Sequence, residues 1–428
     1  MPLHRKGVFR CTQNIHMASF ELAYRELKKT QGLYPYFSDT NREEGDVVLC
    51  SDCFHDEGLR LDAFQIGIDK DIKCPNCSSD QGKKLTKQIV RELCYRFFVR
   101  GTIERFDYGG FPLVQMNEER YNESDVKVSP WLTEDVKLIE QAGEIGLFYY
   151  SPRFWMFGEI EPLKDLQSEA EVDKVLARIL ELYPKHILKE EHPFYRVRVN
   201  PNTPYDLLEY DTPPEGLGGG NRLNFSGEAI MYASPDLELC IHECRATVED
   251  NLYVAKLVPL QPLKMLNLAA LVSEEDVTEF TSLDLAVHFL FLAAKHAYPI
   301  CTRIAQFIKE QGFDGIIYPS YFSYSRTGAI PFETVYGMSI RRLPPMIEYA
   351  EAQSVPNVAL FGWPIKEGKV KIHSINKVLI NSIKYDLSFG PAYHEALVDK
   401  SRKDEFIEQQ MKVHLDKLMK AFSSEQNK

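Results

Sequence analysis

Four cysteines stand in two short pairs, Cys50-x-x-Cys53 and Cys74-x-x-Cys77, with 20 residues between the pairs. A C-x-x-C turn presents two sulfurs from one tight knuckle, and two knuckles supply the four thiolates of a tetrahedral zinc. Four thiolates close the coordination shell, so the expected metal is structural, and His55, two residues past Cys53, is not needed as a ligand. Pro75 helps preset the second turn. The intervening residues 54–73 are more acidic than basic, which favours fold support over contact with nucleic acid.

A second group lies in the later half, where Gly218-Gly219-Gly220 precede Arg222, Tyr232 follows ten residues on, and Glu243 eleven after that. An arginine delivered by glycines suits a phosphate, because its planar fork binds two oxygens and the turn allows close approach. A tyrosine offers an aromatic face to a flat base. A carboxylate steadies positive charge developing on a sugar carbon. Together they fit attack on the N-glycosidic bond of a dinucleotide. The same residues also read blandly, as turn glycines, a surface arginine, a core tyrosine and a helix-face glutamate.

These groups need elements to hold them. Periodicity predicts helices over 18–29, 85–100, 131–142 and 169–182, with the cysteine module at 49–80 embedded among them. From Pro193 the character changes to short β-type runs at 194–199, 229–233, 252–258, 315–318, 338–341 and 377–383. Helices are predicted over 236–249 and 286–310, and a charged amphipathic tail over 391–422. The division expected is therefore 1–190, mainly helical with the ribbon, and 191–428. His288 and His296 fall on an apolar helix and read as core or rim residues; His242 could support the Glu243 cleft.

Composition bounds the partners. The chain has 428 residues and a net charge of −12, so it lacks the basic footprint of a general nucleic-acid binder. The most apolar stretch, residues 283–297, is short of the ~20 residues a membrane span needs and contains Asp284, His288, Lys295 and His296. No apolar run of signal-peptide type follows the basic start Met1–Lys6, so a cytoplasmic protein with reduced thiols is expected.

Residues 194–339 resemble the RES domain, a family of bacterial NAD-degrading toxins related in fold to ADP-ribosyltransferases. Its pattern, roughly G-G-R-W-N-x-x-G followed by spaced tyrosine and glutamate, is met by Arg222, Asn224, Gly227, Tyr232 and Glu243, with Leu223 in place of the tryptophan. Tyr195-Arg196 match an upstream pair, and the family serine is matched by Ser320 after Gly312-Phe313-Asp314-Gly315-Ile316-Ile317-Tyr318-Pro319. The resemblance implies an α+β, ADP-ribosyltransferase-like domain cleaving the nicotinamide–ribose bond of NAD. In it, Arg196 and Arg222 would hold the pyrophosphate with help from Asn224; Arg326, six residues past Ser320 on an expected loop, could also reach a phosphate. Tyr232 would stack on nicotinamide or its ribose, Glu243 would bind the ribose hydroxyls and stabilise the oxocarbenium-like transition state, and Ser320 would orient the ribose or the strand. Water or phosphate would be the acceptor. It also implies an antitoxin or trigger protein as partner, and allows a homo-oligomer.

The first half resembles the HEPN-like, zinc-containing extensions found ahead of some RES domains. The ribonuclease spacing of that group occurs in Arg10…His16, but not on a late helix, so no nuclease role is adopted. An extra domain beside an NAD-consuming one could gate its cleft. Two other readings stay open: transfer of ADP-ribose to a macromolecule, and a non-catalytic interaction protein.

Overall fold

The computed structural model describes residues 44–106, 109–117, 126–149, 160–213, 221–225, 228–328, 334–335 and 338–392. The helix expected over 18–29, the Arg10…His16 pair, the glycine run 218–220, Gly227 and the tail from 393 onward lie outside them. No helix of the described residues is long and apolar enough to cross a membrane.

In the first unit, β1 (Val47–Cys50) pairs antiparallel with β2 (Lys84–Thr86) and so closes the cysteine module past residue 80. Buried Lys84 secures the closing turn by donating to the Asp80, Gln81 and Gly82 carbonyls at 2.7–3.1 Å. This pairing also shortens the helix expected from residue 85. Thr86 caps α2 (Lys87–Cys94) instead, accepting from the Ile89 N–H at 3.3 Å. Helices α1 (Glu57–Ile66), α2 and α3 (Thr133–Gly143) bury Leu59, Ile89, Leu93 and Ile139 in one core. Two antiparallel pairs, β3 (Ile103–Phe106) with β4 (Gly109–Pro112) and β5 (Val114–Asn117) with β6 (Gly146–Tyr149), follow, and Val114 and Leu147 of the second pair join that core. The described part of this unit is thus mixed rather than mainly helical.

The second unit begins upstream of the expected cut at 190. Helices α4 (Glu161–Asp165) and α5 (Val172–Leu182) bury Leu163, Val175, Leu176 and Ile179 in the same core as Phe289, Ile304 and Ile316. Strand β7 (Lys185–Leu188) is the edge of its main sheet. That sheet runs β7, β11 (Leu263–Asn267), β12 (Gly315–Pro319), β15 (Pro356–Phe361), β9 (Ile230–Ala233), with β11 and β12 parallel and the other neighbours antiparallel. A second sheet places β10 (Leu252–Pro259) between β8 (Phe194–Val199) and β16 (Val370–Val378). A short pair, β13 (Thr334–Val335) with β14 (Met338–Ser339), stands apart.

Alternation along the strands fixes what each sheet face meets. Ile230, Tyr232, Ile316, Tyr318 and Ala359 face α7 (Leu283–Leu292) and α8 (Tyr298–Glu310). Met231, Ile317, Val358 and Leu360 face Phe194, Ala255 and Leu257 of the second sheet. Helix α6 (Leu237–Cys244) packs on that sheet's outer side, with Leu237, Cys240 and Ile241 against Val197 and Val254. An isolated backbone bridge, Tyr195 with Ser234, also links the sheets just before α6 begins.

Several predicted elements are trimmed for identifiable reasons. The helix expected over 286–310 is two, because the chain turns at Ala293 and restarts with Pro299 in the first turn of α8. Helix α6 stops at Cys244 rather than 249, since Arg245 takes a left-handed conformation (φ 51°). The last strand ends at Val378 instead of running over 377–383, and only Met338–Ser339 of 338–341 is strand.

Beyond β16 the chain returns to the first unit. The Phe389 N–H donates to Asp62 Oδ2 (3.1 Å), and Ser129 Oγ donates to the Ala392 carbonyl (2.5 Å). A Cβ on Gly101 would fall 2.4 Å from Gly390 Cα, so this crossing requires glycine. Arg100 Nη2 donates to the Gly328 carbonyl at 2.9 Å, a second tie between the units.

Asp284 and Arg341 form a buried two-pronged ion pair, with Nε–Oδ2 at 2.7 Å and Nη2–Oδ1 at 2.8 Å, that anchors α7 to the segment after β14. Removing one partner strands the other charge in the interior. Asp284→Ala is expected to lower unfolding free energy by about 3–5 kcal/mol in urea titrations. A loss below roughly 1 kcal/mol, the worth of an exposed pair, would show that the pair does not anchor this region.

Candidate functional site

The two sheets and α6 bring Glu243 and Ser320 together across 77 residues of chain. The segment 312–320 shows how. Gly312 ends α8 with φ +74°, and Asp314 Oδ2 accepts from the Lys264 N–H at 2.9 Å to set β12 beside β11. Gly315 allows β12 to approach β15, since a Cβ there would lie 2.1 Å from the Ala359 carbonyl oxygen. Ser320 then leaves the strand with its N–H on the Val355 carbonyl (2.9 Å) and its hydroxyl on Glu243 Oε1 (2.5 Å). The Ser320 hydroxyl also accepts from the Phe322 N–H at 3.0 Å.

Asn357 shares the same carboxylate oxygen, with Nδ2 donating to Glu243 Oε1 at 2.6 Å. It lies across the ladder from Tyr318, and Tyr232 pairs with Ala359 two positions on, so all three share one sheet face. Glu243 is solvent-exposed, and its Oε2 has no hydrogen-bond partner among the described residues. The result is a carboxylate with one oxygen fixed and the other open to a ligand. Burial, then the Glu243 charge, push the Tyr318 hydroxyl well above its ordinary pKa, with Arg222 acting oppositely. Tyr318 thus stands within electrostatic reach of both Glu243 and Arg222.

Arg222 is partly buried, with Nη1 on the Leu290 carbonyl (2.5 Å), Nη2 on the Ala293 carbonyl (2.8 Å) and the Tyr298 ring 4.9 Å from its guanidinium carbon. It caps the C-terminal end of α7, where a cation is favoured. No carboxylate among the described residues pairs with Arg222. The Tyr232 hydroxyl donates to Asn224 Oδ1 (2.6 Å) and accepts from the Leu223 N–H (3.2 Å), while Thr302 Oγ1 holds the Asn224 carbonyl at 3.1 Å. Burial raises the Tyr232 phenol far above its usual range, so it stays protonated and donates. Tyr232 and Asn224 therefore pin the Arg222 segment, and the Tyr232 ring packs on the helix-facing core instead of standing free to stack.

Two expected phosphate ligands are occupied otherwise. Arg196 is buried between the sheets, its guanidinium donating to the Tyr232 and Asp211 carbonyls. Burial, reinforced by Arg198, lowers its pKa to about 9, so it remains charged but inaccessible. Arg326, carried on the short helix α9 (Ser323–Thr327), pairs with Asp236 at 3.0 Å and Glu238 at 3.3 Å, which cancels its charge. Asn357 is not among the residues the sequence singles out; the available signal is one amide inside the apolar run 355–361.

The cysteine module meets the metric test for zinc. Sulfur separations are 3.8 Å for Cys50–Cys53, 3.5 Å for Cys50–Cys77 and 3.5 Å for Cys53–Cys74, and all four sulfurs lie within 4.8 Å of one another. Four thiolates about 2.3 Å from one zinc have edges of about 3.8 Å. Asn76 Nδ2 donates to Cys53 Sγ at 3.4 Å, an outer contact of the kind that orients a ligand. Metal analysis is expected to return one zinc per chain, and Cys74→Ser to lose both metal and solubility. A zinc-free native protein whose four thiols alkylate freely would contradict this.

The RES domain family profile matches residues 193–331. That span contains Arg222, Tyr232, Glu243 and Ser320 but not Asn357. No curated protein matches the sequence. A solved structure, titled "Crystal structure of the M.tuberculosis MbcT-MbcA toxin-antitoxin complex", is similar at 10% identity over 48% of this chain and 91% of that one, with a TM-score of 0.29. A likeness that distant carries no argument about this chain's activity.

Proposed function

We propose that this chain cleaves the nicotinamide–ribose bond of NAD and acts as a toxin or defence effector. The observation that carries the reading is Glu243, whose Oε1 is fixed by Ser320 and Asn357 while Oε2 stays open, inside the segment matched to the RES domain. In the reaction, the bond between the ribose anomeric carbon and the pyridinium nitrogen breaks, and its electron pair neutralises the leaving nicotinamide. Positive charge develops on the ribose carbon. The open Glu243 oxygen accepts a ribose hydroxyl and stabilises that charge, while Ser320 keeps the carboxylate in place. Arg222, which no carboxylate among the described residues pairs with, binds the diphosphate, and Tyr232 and Asn224 hold its segment. Water completes the reaction to ADP-ribose and a proton; phosphate completes it to ADP-ribose 1″-phosphate.

Zinc, held by Cys50, Cys53, Cys74 and Cys77, supplies fold support only. A neutralising antitoxin or a trigger protein belongs to the same proposal. Products formed from NAD in phosphate-free and phosphate-containing buffer identify the acceptor. ADP-ribose found on protein instead of free would replace hydrolysis or phosphorolysis by transfer.

A further inference from the structure

We infer that Asn357 is a positioning residue of this site: its amide holds the Glu243 carboxylate correctly turned. The inference rests on the NAD-cleaving reading and adds to it a residue beyond the segment matched to the RES domain. Asn357 is 4% exposed, on a central strand of the main sheet, and its amide, which also meets the hydroxyl of its ladder partner Tyr318, directs Nδ2 to a side chain on α6. An amide in a buried apolar strand costs stability unless it is hydrogen-bonded, and here the bond is 2.6 Å to a charged acceptor. Ser320 alone would leave the carboxylate free to rotate about a single contact. Two donors on Oε1, from Ser320 on the end of β12 and Asn357 on β15, fix the plane of the carboxylate and so the place of Oε2.

The chemistry gives a test that a merely structural role would not meet. Asn357→Ala removes one donor, and turnover is expected to fall roughly 10- to 100-fold with KM changed less than threefold. Asn357→Asp at neutral pH sets a second carboxylate against the first, and like charges so close cannot both stay ionised comfortably. As pH falls, a proton on the introduced carboxyl group would re-create the donor. The variant is therefore expected to recover activity toward acid pH, opposite in slope to the wild-type profile on that limb. Glu243 acts electrostatically on Tyr318 on β12 and on Cys240 and Cys244 on α6, while Tyr232 on β9 and Arg222 act in turn on Tyr318. Burial raises the Tyr318, Tyr232, Cys240 and Cys244 pKa values, so none of these four titrates on the acid limb.

The experiment measures kcat and KM for NAD across pH for full-length wild type, Glu243→Gln, Asn357→Ala and Asn357→Asp, with circular dichroism melts to verify folding. Recovery of Asn357→Asp at acid pH supports the assignment even if the alanine variant misfolds. Wild-type cleavage that depends on Glu243, with a wild-type pH profile in folded Asn357→Asp, overturns this inference alone. Absence of cleavage by the wild type overturns it together with the reading beneath it.

Discussion

Glu243→Gln is expected to leave a folded protein whose release of nicotinamide from NAD is down by roughly 10²–10³-fold, a loss of about 3–4 kcal/mol of transition-state stabilisation. The substitution is chosen because glutamine keeps the Oε1 acceptor. Ser320 and Asn357 can still donate to it, at the positions now 2.5 and 2.6 Å away, so the packing between α6 and the main sheet persists. What disappears is the negative charge on the open oxygen, which alone answers the charge developing on the ribose. Melting curves should nearly superimpose while turnover collapses. A folded Glu243→Gln protein with undiminished turnover would remove Glu243 from the mechanism.

Removing residues 1–190 is expected to give an insoluble or unfolded fragment rather than a deregulated enzyme. The cut deletes α4, α5 and β7, and with them buried Leu163, Leu166, Val172, Val175, Leu176 and Ile179, together with Tyr183 and Leu188. At about 1.5 kcal/mol or more for each buried side chain, the loss matches the whole stability of an ordinary domain, about 5–15 kcal/mol. It also exposes β11 as a new sheet edge. A fragment starting at residue 160 keeps these elements and is the proper test of gating. If the first unit occludes the cleft through its ties at Gly328 and at residues 389–392, that fragment should turn over NAD faster than the full chain. Equal turnover would mean that the first unit does not gate. A soluble 191–428 fragment that melts cooperatively would contradict the core assignment itself.

Much of the site was legible because it rests on local signals. The cysteine spacing encodes a tetrahedron, and the runs 194–199 and 315–318 declare themselves as strands by composition and flanking turns. The partnership of Glu243 with Ser320 came only with the family resemblance, since nothing local joins residues 77 apart. What was not legible depended on long-range pairing. β7 reads as a polar stretch because it is an edge strand, and β2 reads as the first turn of a helix until β1 claims it. Arg196 and Arg326 looked like phosphate ligands because charge is visible in a sequence and its neutralisation is not. Asp236 and Glu238 cancel Arg326 only once α6 and α9 pack together. The boundary near 190 followed the change of composition, whereas the core follows burial and starts with α4.

The most direct test is nicotinamide release from NAD by the purified full-length chain, followed in parallel for wild type and Glu243→Gln. The expected result is nicotinamide appearing in equal amount with ADP-ribose or its 1″-phosphate in the wild type, and release reduced at least a hundredfold, in line with loss of an electrostatic stabiliser, in the variant. Intact NAD after prolonged incubation with folded wild-type protein, or equal release by both, would contradict the account.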